Sequence, residues 1–133
     1  LPEHIEGYDK NVFIKKVNTL MRLFLQGKKT VEDKEIGRLF LNKKGIIWDR
    51  NYGSKNPRCE NIEEISKLLN VGHMIVGHTV QKGINSRCDN KLWRVDVGIS
   101  DSFSGNKIEV LEILDNGVPT EKNKKKPFRI IKI

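Results

Sequence analysis

The chain has 133 residues, of which 37% are hydrophobic and 32% charged. That length holds one domain or part of one, and that balance supports a packed core and excludes intrinsic disorder. Its 25 Lys and Arg against 17 Asp and Glu give a formal charge of +8. This surplus favours anionic partners such as nucleic acid, phosphorylated substrates or acidic protein surfaces, and equally serves solubility alone. No apolar run approaches the length needed to cross a bilayer, so no membrane partner is expected. Cys59 and Cys88 belong to no CxxC pair and cannot complete a zinc cage. With no secretory framework, they are expected to be free thiols in an intracellular, cytoplasmic protein. A first residue other than Met suggests a processed or truncated chain.

The spacing of Phe13, Val17, Leu20, Met21 and Phe24 predicts a helix from about Lys10 to Gln26, with Asp9 as its N-cap and Gly27 at its end. A second short helix is expected from Thr30 to about Leu41. The segment from Ile46 to Cys59 is rich in Gly, Asn and Pro and reads as a loop. Asn61 is expected to cap a further helix whose apolar face is Ile62, Ile65, Leu68 and Leu69, ending at Asn70 or Gly72. Short strands are expected at His73 to Val76 (buried), Leu92 to Val97, Lys107 to Leu114 and Phe128 to Ile133. Asp115-Asn116-Gly117 carries a turn signal. The chain thus reads as a single partial domain, 1–133, mainly helical over 1–45, with loop, helix and sheet over 46–133 and an exposed basic segment at 120–127.

His78 closes an apolar strand after Gly77, a position from which an imidazole can serve as metal ligand or acid/base group, or simply bond a carbonyl at the strand end. His4 and His73 read as surface or boundary residues. Arg50 can hold two phosphate oxygens or pair with Asp49 or Glu60. Trp48 and Tyr52 flank it, as pocket walls or as core and rim packing. Asp96 can orient a histidine from behind or cap its own turn. Lys82, Asn85 and Arg87 can border an anionic site, or be solvated.

The order Trp48-Asp-Arg50-Asn-Tyr52, a helix, Val76-Gly-His78-Thr-Val-Gln-Lys-Gly-Ile84 and Asp96-Val-Gly-Ile-Ser100 resembles the C-terminal half of calcineurin-like metallophosphoesterases of the phosphoprotein phosphatase type, including the Shewanella-like branch. The resemblance covers Trp48 to Leu114 well, and more loosely reaches the first residues. It implies an α/β fold, the C-terminal portion of an α/β sandwich with mixed sheets flanked by helices. It also implies that His78 ligates one of two divalent metal ions (Mn, Fe or Zn) and that Arg50 binds the substrate phosphate; Asp96, Trp48, Tyr52 and Lys82 are candidates to stand behind these groups or at the pocket rim.

The family's Gly-Asp-x-His, Gly-Asp-x-x-Asp-Arg-Gly, Gly-Asn-His-Glu and His-Gly-Gly motifs are absent. A two-metal reaction needs both ions roughly 4 Å apart, so no catalytic residue is assigned to this chain. The resemblance implies part of a phosphatase for phosphate monoesters, above all phosphoserine and phosphothreonine proteins, inactive alone and partnered by a missing N-terminal half or another chain. The other reading is a non-catalytic assembly or binding module whose basic surface meets nucleic acid or partner proteins.

Overall fold

The structure is a computed structural model that describes residues 9–28, 40–43, 45–100 and 108–133. The chain divides into two compact units, one drawn from residues 1–50 and 64–70, the other from 51–63 and 71–133. His4 and almost all of the helix expected from Thr30 lie outside the described residues.

In the first unit, helix α1 spans Lys10–Leu25. Asp9 caps it as its sequence suggests, its Oδ1 accepting from the backbone N–H of Asn11 at 3.0 Å and Val12 at 3.2 Å. At the other end Gly27 turns into the left-handed region (φ 66), Gly27 N–H donates to Phe24 O and Lys28 N–H to Leu23 O. These two bonds satisfy carbonyls that the helix would otherwise strand. The expected stripe packs Leu20 with Phe40, flanked by Val17, Met21 and Ile46.

Helix α2 spans Cys59–Leu69. It begins two residues before the expected cap, so Asn61 lies inside it. Pro57 stands just ahead of the first turn, where a missing backbone donor costs nothing. Ile62 and Ile65 are fully buried, and Asn70, at φ 50, ends the helix.

The second unit carries two small sheets. Strands β1 (Met74–Val76), β2 (Asn85–Arg87) and β3 (Leu92–Arg94) lie in the order β1-β3-β2, with β1 parallel and β2 antiparallel to β3. Strands β4 (Glu109–Ile113) and β5 (Phe128–Lys132) pair antiparallel. Alternation sends the Trp93 side chain to one face of β3, where it packs with Ile84, Val97, Leu111 and Phe128. Trp93 stacks on Phe128 at 4.9 Å between ring centroids. Among the described residues, one mixed sheet, one antiparallel pair and two helices make this an α/β fold, as the resemblance implied.

Four expectations need correction. The first strand starts at Met74 and is only partly covered, with Ile75 45% exposed, because a run of three apolar residues on a strand places one on the opposite face. The strand from Leu92 stops at Arg94 rather than Val97, since the bond from Val95 N–H to Val76 O is the last rung of its ladder with β1 and Asp96 then enters a turn. Residues 79–91 include β2, whose polar Asn-Ser-Arg sequence carries no strand signal and which forms through hairpin pairing with β3. Finally, Cys59 and Cys88 are not free thiols but form a disulfide, Cα–Cα 5.3 Å. The first turn of α2 and the turn after β2 bring together two residues 29 apart in sequence. The Lys91 to Glu63 ion pair at 2.8 Å lies on the same two elements.

The 114–127 connection hangs on Asn123, 2% exposed amid the lysine run. Its amide donates to Asp115 Oδ2 and Val118 O, and its Oδ1 accepts from Thr120 N–H. Asp115, Asn116 and Gly117 all adopt positive φ there, which short polar side chains and glycine tolerate best. The turn signal is therefore real, but it folds a long loop rather than a tight hairpin.

Closing a loop of this size restricts the unfolded chain, and Cys88→Ser should destabilise the protein by about 3 kcal/mol. Urea unfolding of the oxidised protein, the reduced protein and the variant checks this. Equal midpoints for all three would show that the bond contributes nothing.

Candidate functional site

Thr79 N–H donates to Gly77 O at 2.9 Å, an i to i+2 bond, and His78 between them sits at φ 67. This is a γ-turn with a positive central φ, a strained form that is rare for a residue bearing a side chain. It leaves His78 exposed directly after β1.

The turn is held by the loop that follows Tyr52. Gly53 lies so close to Thr79 that a Cβ built on it would fall 2.3 Å from the Thr79 Cβ. The Gln81 amide donates to Gly53 O at 3.0 Å and to Thr79 O at 2.8 Å. Arg94, only 3% exposed, donates from Nη1 to Ser54 O and Gly53 O, and from Nε to Asn85 Oδ1 at 2.7 Å. Burial lowers the pKa of its guanidinium from the ordinary arginine value, and the charge of Arg87 adds to that. One buried cation thus ties the 53–54 loop to β2 and β3.

The other expected site residues fall as follows. Arg50 and Trp48 belong to the first unit and are exposed. Tyr52, in the second unit, is buried at 6% and packs as core. Asp96 caps its own turn, its Oδ1 accepting from Gly98 N–H at 3.0 Å, while its carbonyl accepts from Gln81 N–H at 2.8 Å. Lys82 lines an open cleft of about 660 Å³ in the second unit, together with Lys55, Arg87, Arg94 and Lys132. Gly53, Gln81, Arg94 and Glu109 were not singled out from the sequence. A glycine directly after an aromatic in a loop, Tyr52-Gly53, is the one signal in the sequence that points to any of them. His73, expected at the boundary, is partly buried, with its ring nitrogens 3.0 Å from Asn90 O and 3.3 Å from Gly117 O and its ring edge on Phe128.

Among the described residues, no group of three or more His, Cys, Asp or Glu side chains is placed to hold a metal ion. His78 offers one imidazole, and Asp96 is engaged with its own turn, so these donors do not by themselves fit a dinuclear centre.

No protein-family model matches the chain. An uncharacterized protein of Acanthamoeba polyphaga mimivirus is 33% identical over 92% of this chain and 55% of its own length. Shewanella-like protein phosphatase 2 of Arabidopsis thaliana is 38% identical over 55% of this chain and 20% of its own length. Among solved structures, a cold-active protein tyrosine phosphatase superposes with a TM-score of 0.58 and 28% identity, covering 73% of this chain and 28% of that one. The chain is therefore an α/β protein related to protein phosphatases. It spans about half the length of its mimivirus relative and about a fifth of the plant phosphatase.

Gly53→Ala should destabilise the second unit by about 1–3 kcal/mol, because Thr79 must shift to admit a methyl group. Gly72→Ala, whose added carbon meets nothing within 4 Å, serves as the control in thermal unfolding. Equal melting temperatures for the two variants would contradict the close approach.

Proposed function

We propose that this chain supplies one part of a calcineurin-like metallophosphoesterase of the phosphoprotein phosphatase type, close to its Shewanella-like branch, that hydrolyses phosphate monoesters on phosphoserine and phosphothreonine proteins. The observation that carries the reading is the strained turn at His78, seated by Gly53, Gln81 and Arg94, at the Gly-His-Thr motif whose order with Arg50 and Asp96 resembles that family's. Strain of this kind persists only where surrounding contacts enforce it, and it concentrates at functional sites. The relation to protein phosphatases supports the same reading.

In this proposal His78 gives one imidazole to a divalent metal centre, with manganese, iron and zinc all compatible with that donor. Arg50 holds the substrate phosphate through its fork of donors. In this proposal the remaining metal ligands come from an N-terminal half of the domain or from another chain. Tyr52 supports the loop between Arg50 and Gly53 as a packing residue, and Asp96 stabilises the far end of the His78 turn through its carbonyl bond to Gln81.

The test is hydrolysis of p-nitrophenyl phosphate with added manganese, by this chain alone and by this chain joined to whatever its reading frame encodes ahead of Leu1. The chain alone should remain at background and the joined protein should turn over. In the joined protein, His78→Ala should lower kcat/KM by about a hundredfold or more, and Arg50→Ala by about a hundredfold. Turnover indifferent to His78→Ala would remove histidine ligation from the proposal, and strong turnover by the chain alone would remove its dependence on further ligands.

A further inference from the structure

We propose that the cleft beside the His78 turn is a docking groove for an acidic, extended peptide segment. Among the described residues five cations line it, Lys55, Lys82, Arg87, Arg94 and Lys132, against one carboxylate, Glu109. Glu109 is buried and already satisfied: it accepts from Ile84 N–H at 2.6 Å and lies 3.8 Å from the Lys132 ammonium. Arg94 is likewise spent on Asn85 and the 53–54 carbonyls. The exposed cations left to face a ligand are Lys55 and Lys82, together with Arg87, whose Nη1 also donates to Ser86 O at 2.8 Å and Asn85 Oδ1 at 3.4 Å. They stand on two separate segments, the 53–55 loop and residues 82–87. Such converging like charge raises the local concentration of an anionic partner and speeds its capture.

The shape of the cleft selects a peptide over a polynucleotide. Among the described residues no aromatic side chain lines it, so these offer bases no platform on which to stack. Ile84, Ile130 and Val80 give it apolar patches instead. Its wall includes Asn85 and Arg87 of β2, one of the two edge strands of its three-stranded sheet among the described residues. An edge strand offers backbone donors and acceptors that an extended chain can take up as an added strand. Thr79, next to His78, also lines the cleft, so a segment bound there would run past the turn proposed to hold a metal ligand. That the segment belongs to a phosphoprotein substrate rests on the phosphatase reading above; the docking itself does not.

Binding is therefore measured without turnover, by fluorescence anisotropy of a short fluorescein-labelled peptide of alternating Glu and Ser. The expected result is saturable binding that weakens as salt rises. The double variant Lys55→Glu/Arg87→Glu should weaken it by about tenfold. The double variant Lys122→Glu/Lys126→Glu, with the same change in net charge on the distant basic loop, should leave affinity within about twofold. Lys55 and Arg87 are exposed, and matching melting curves would establish that both double variants fold. Equal weakening by the two double variants, or no binding by the unaltered chain, would overturn the groove. Tighter binding of a single-stranded oligonucleotide, abolished by Lys55→Glu/Arg87→Glu, would overturn the choice of peptide. Failure of phosphatase turnover with the groove intact would leave peptide binding unchanged, so the two proposals fail separately.

Discussion

Arg94 carries its positive charge into a position only 3% exposed, and the arrangement of the second unit follows from how that charge is satisfied. Removing a guanidinium from water costs several kcal/mol unless acceptors surround it. Here the acceptors are the Asn85 side chain and the carbonyls of Gly53 and Ser54. These come from β2 and from the loop after Tyr52, so neither can move without stranding a buried charge. Directional bonds to a planar cation impose position as well as proximity. The hairpin and the loop are locked into one geometry, and the cleft between their charged side chains is a consequence.

The same strand divides labour between its faces. Trp93 points away from Arg94 and stacks on Phe128, packing the three-stranded sheet against the β4–β5 pair. Glu109 at the start of β4 reaches the backbone of Ile84, a polar contact beside that apolar one. Between these anchors the His78 turn is short and overdetermined: Gly53 presses on Thr79, Gln81 bonds on both sides, and Asp96 receives the Gln81 backbone. A backbone held at positive φ on a residue bearing a side chain needs support of this kind. The cost of the strain is met by neighbours that have no chemical role themselves.

Helix α1 was legible almost to the residue because its signals are local. A capping carboxylate, an apolar stripe of period 3.6 and a glycine at the end all act within one or two turns. The strand β2 was not legible, since Asn-Ser-Arg has no strand propensity and pairs only because β3 is beside it. Cys59 and Cys88 misled for a related reason: nothing in either flank signals a partner 29 residues away. The lysine run read as an exposed basic segment, which its lysines are, yet Asn123 within it is the buried pin of the loop. The site was legible as an order of motifs, Arg50, then His78, then Asp96. Its supports were not, because Gly53, Gln81 and Arg94 are ordinary residues until folding gives them partners.

By itself the sequence determined what depends on neighbours along the chain: the caps and stripe of the first helix, the excess of cations, and the Gly-His-Thr motif that points toward phosphatases. Tertiary structure alone decided which distant residues meet. It joined Cys59 to Cys88, buried Arg94 among carbonyls, gave His78 its strained turn, and gathered Lys55, Lys82 and Arg87 around one cleft. The physical reason is range. Propensity and periodicity act over a few residues, whereas burial of a charge, closure of a disulfide and convergence of side chains need chain segments that only the folded core brings into contact.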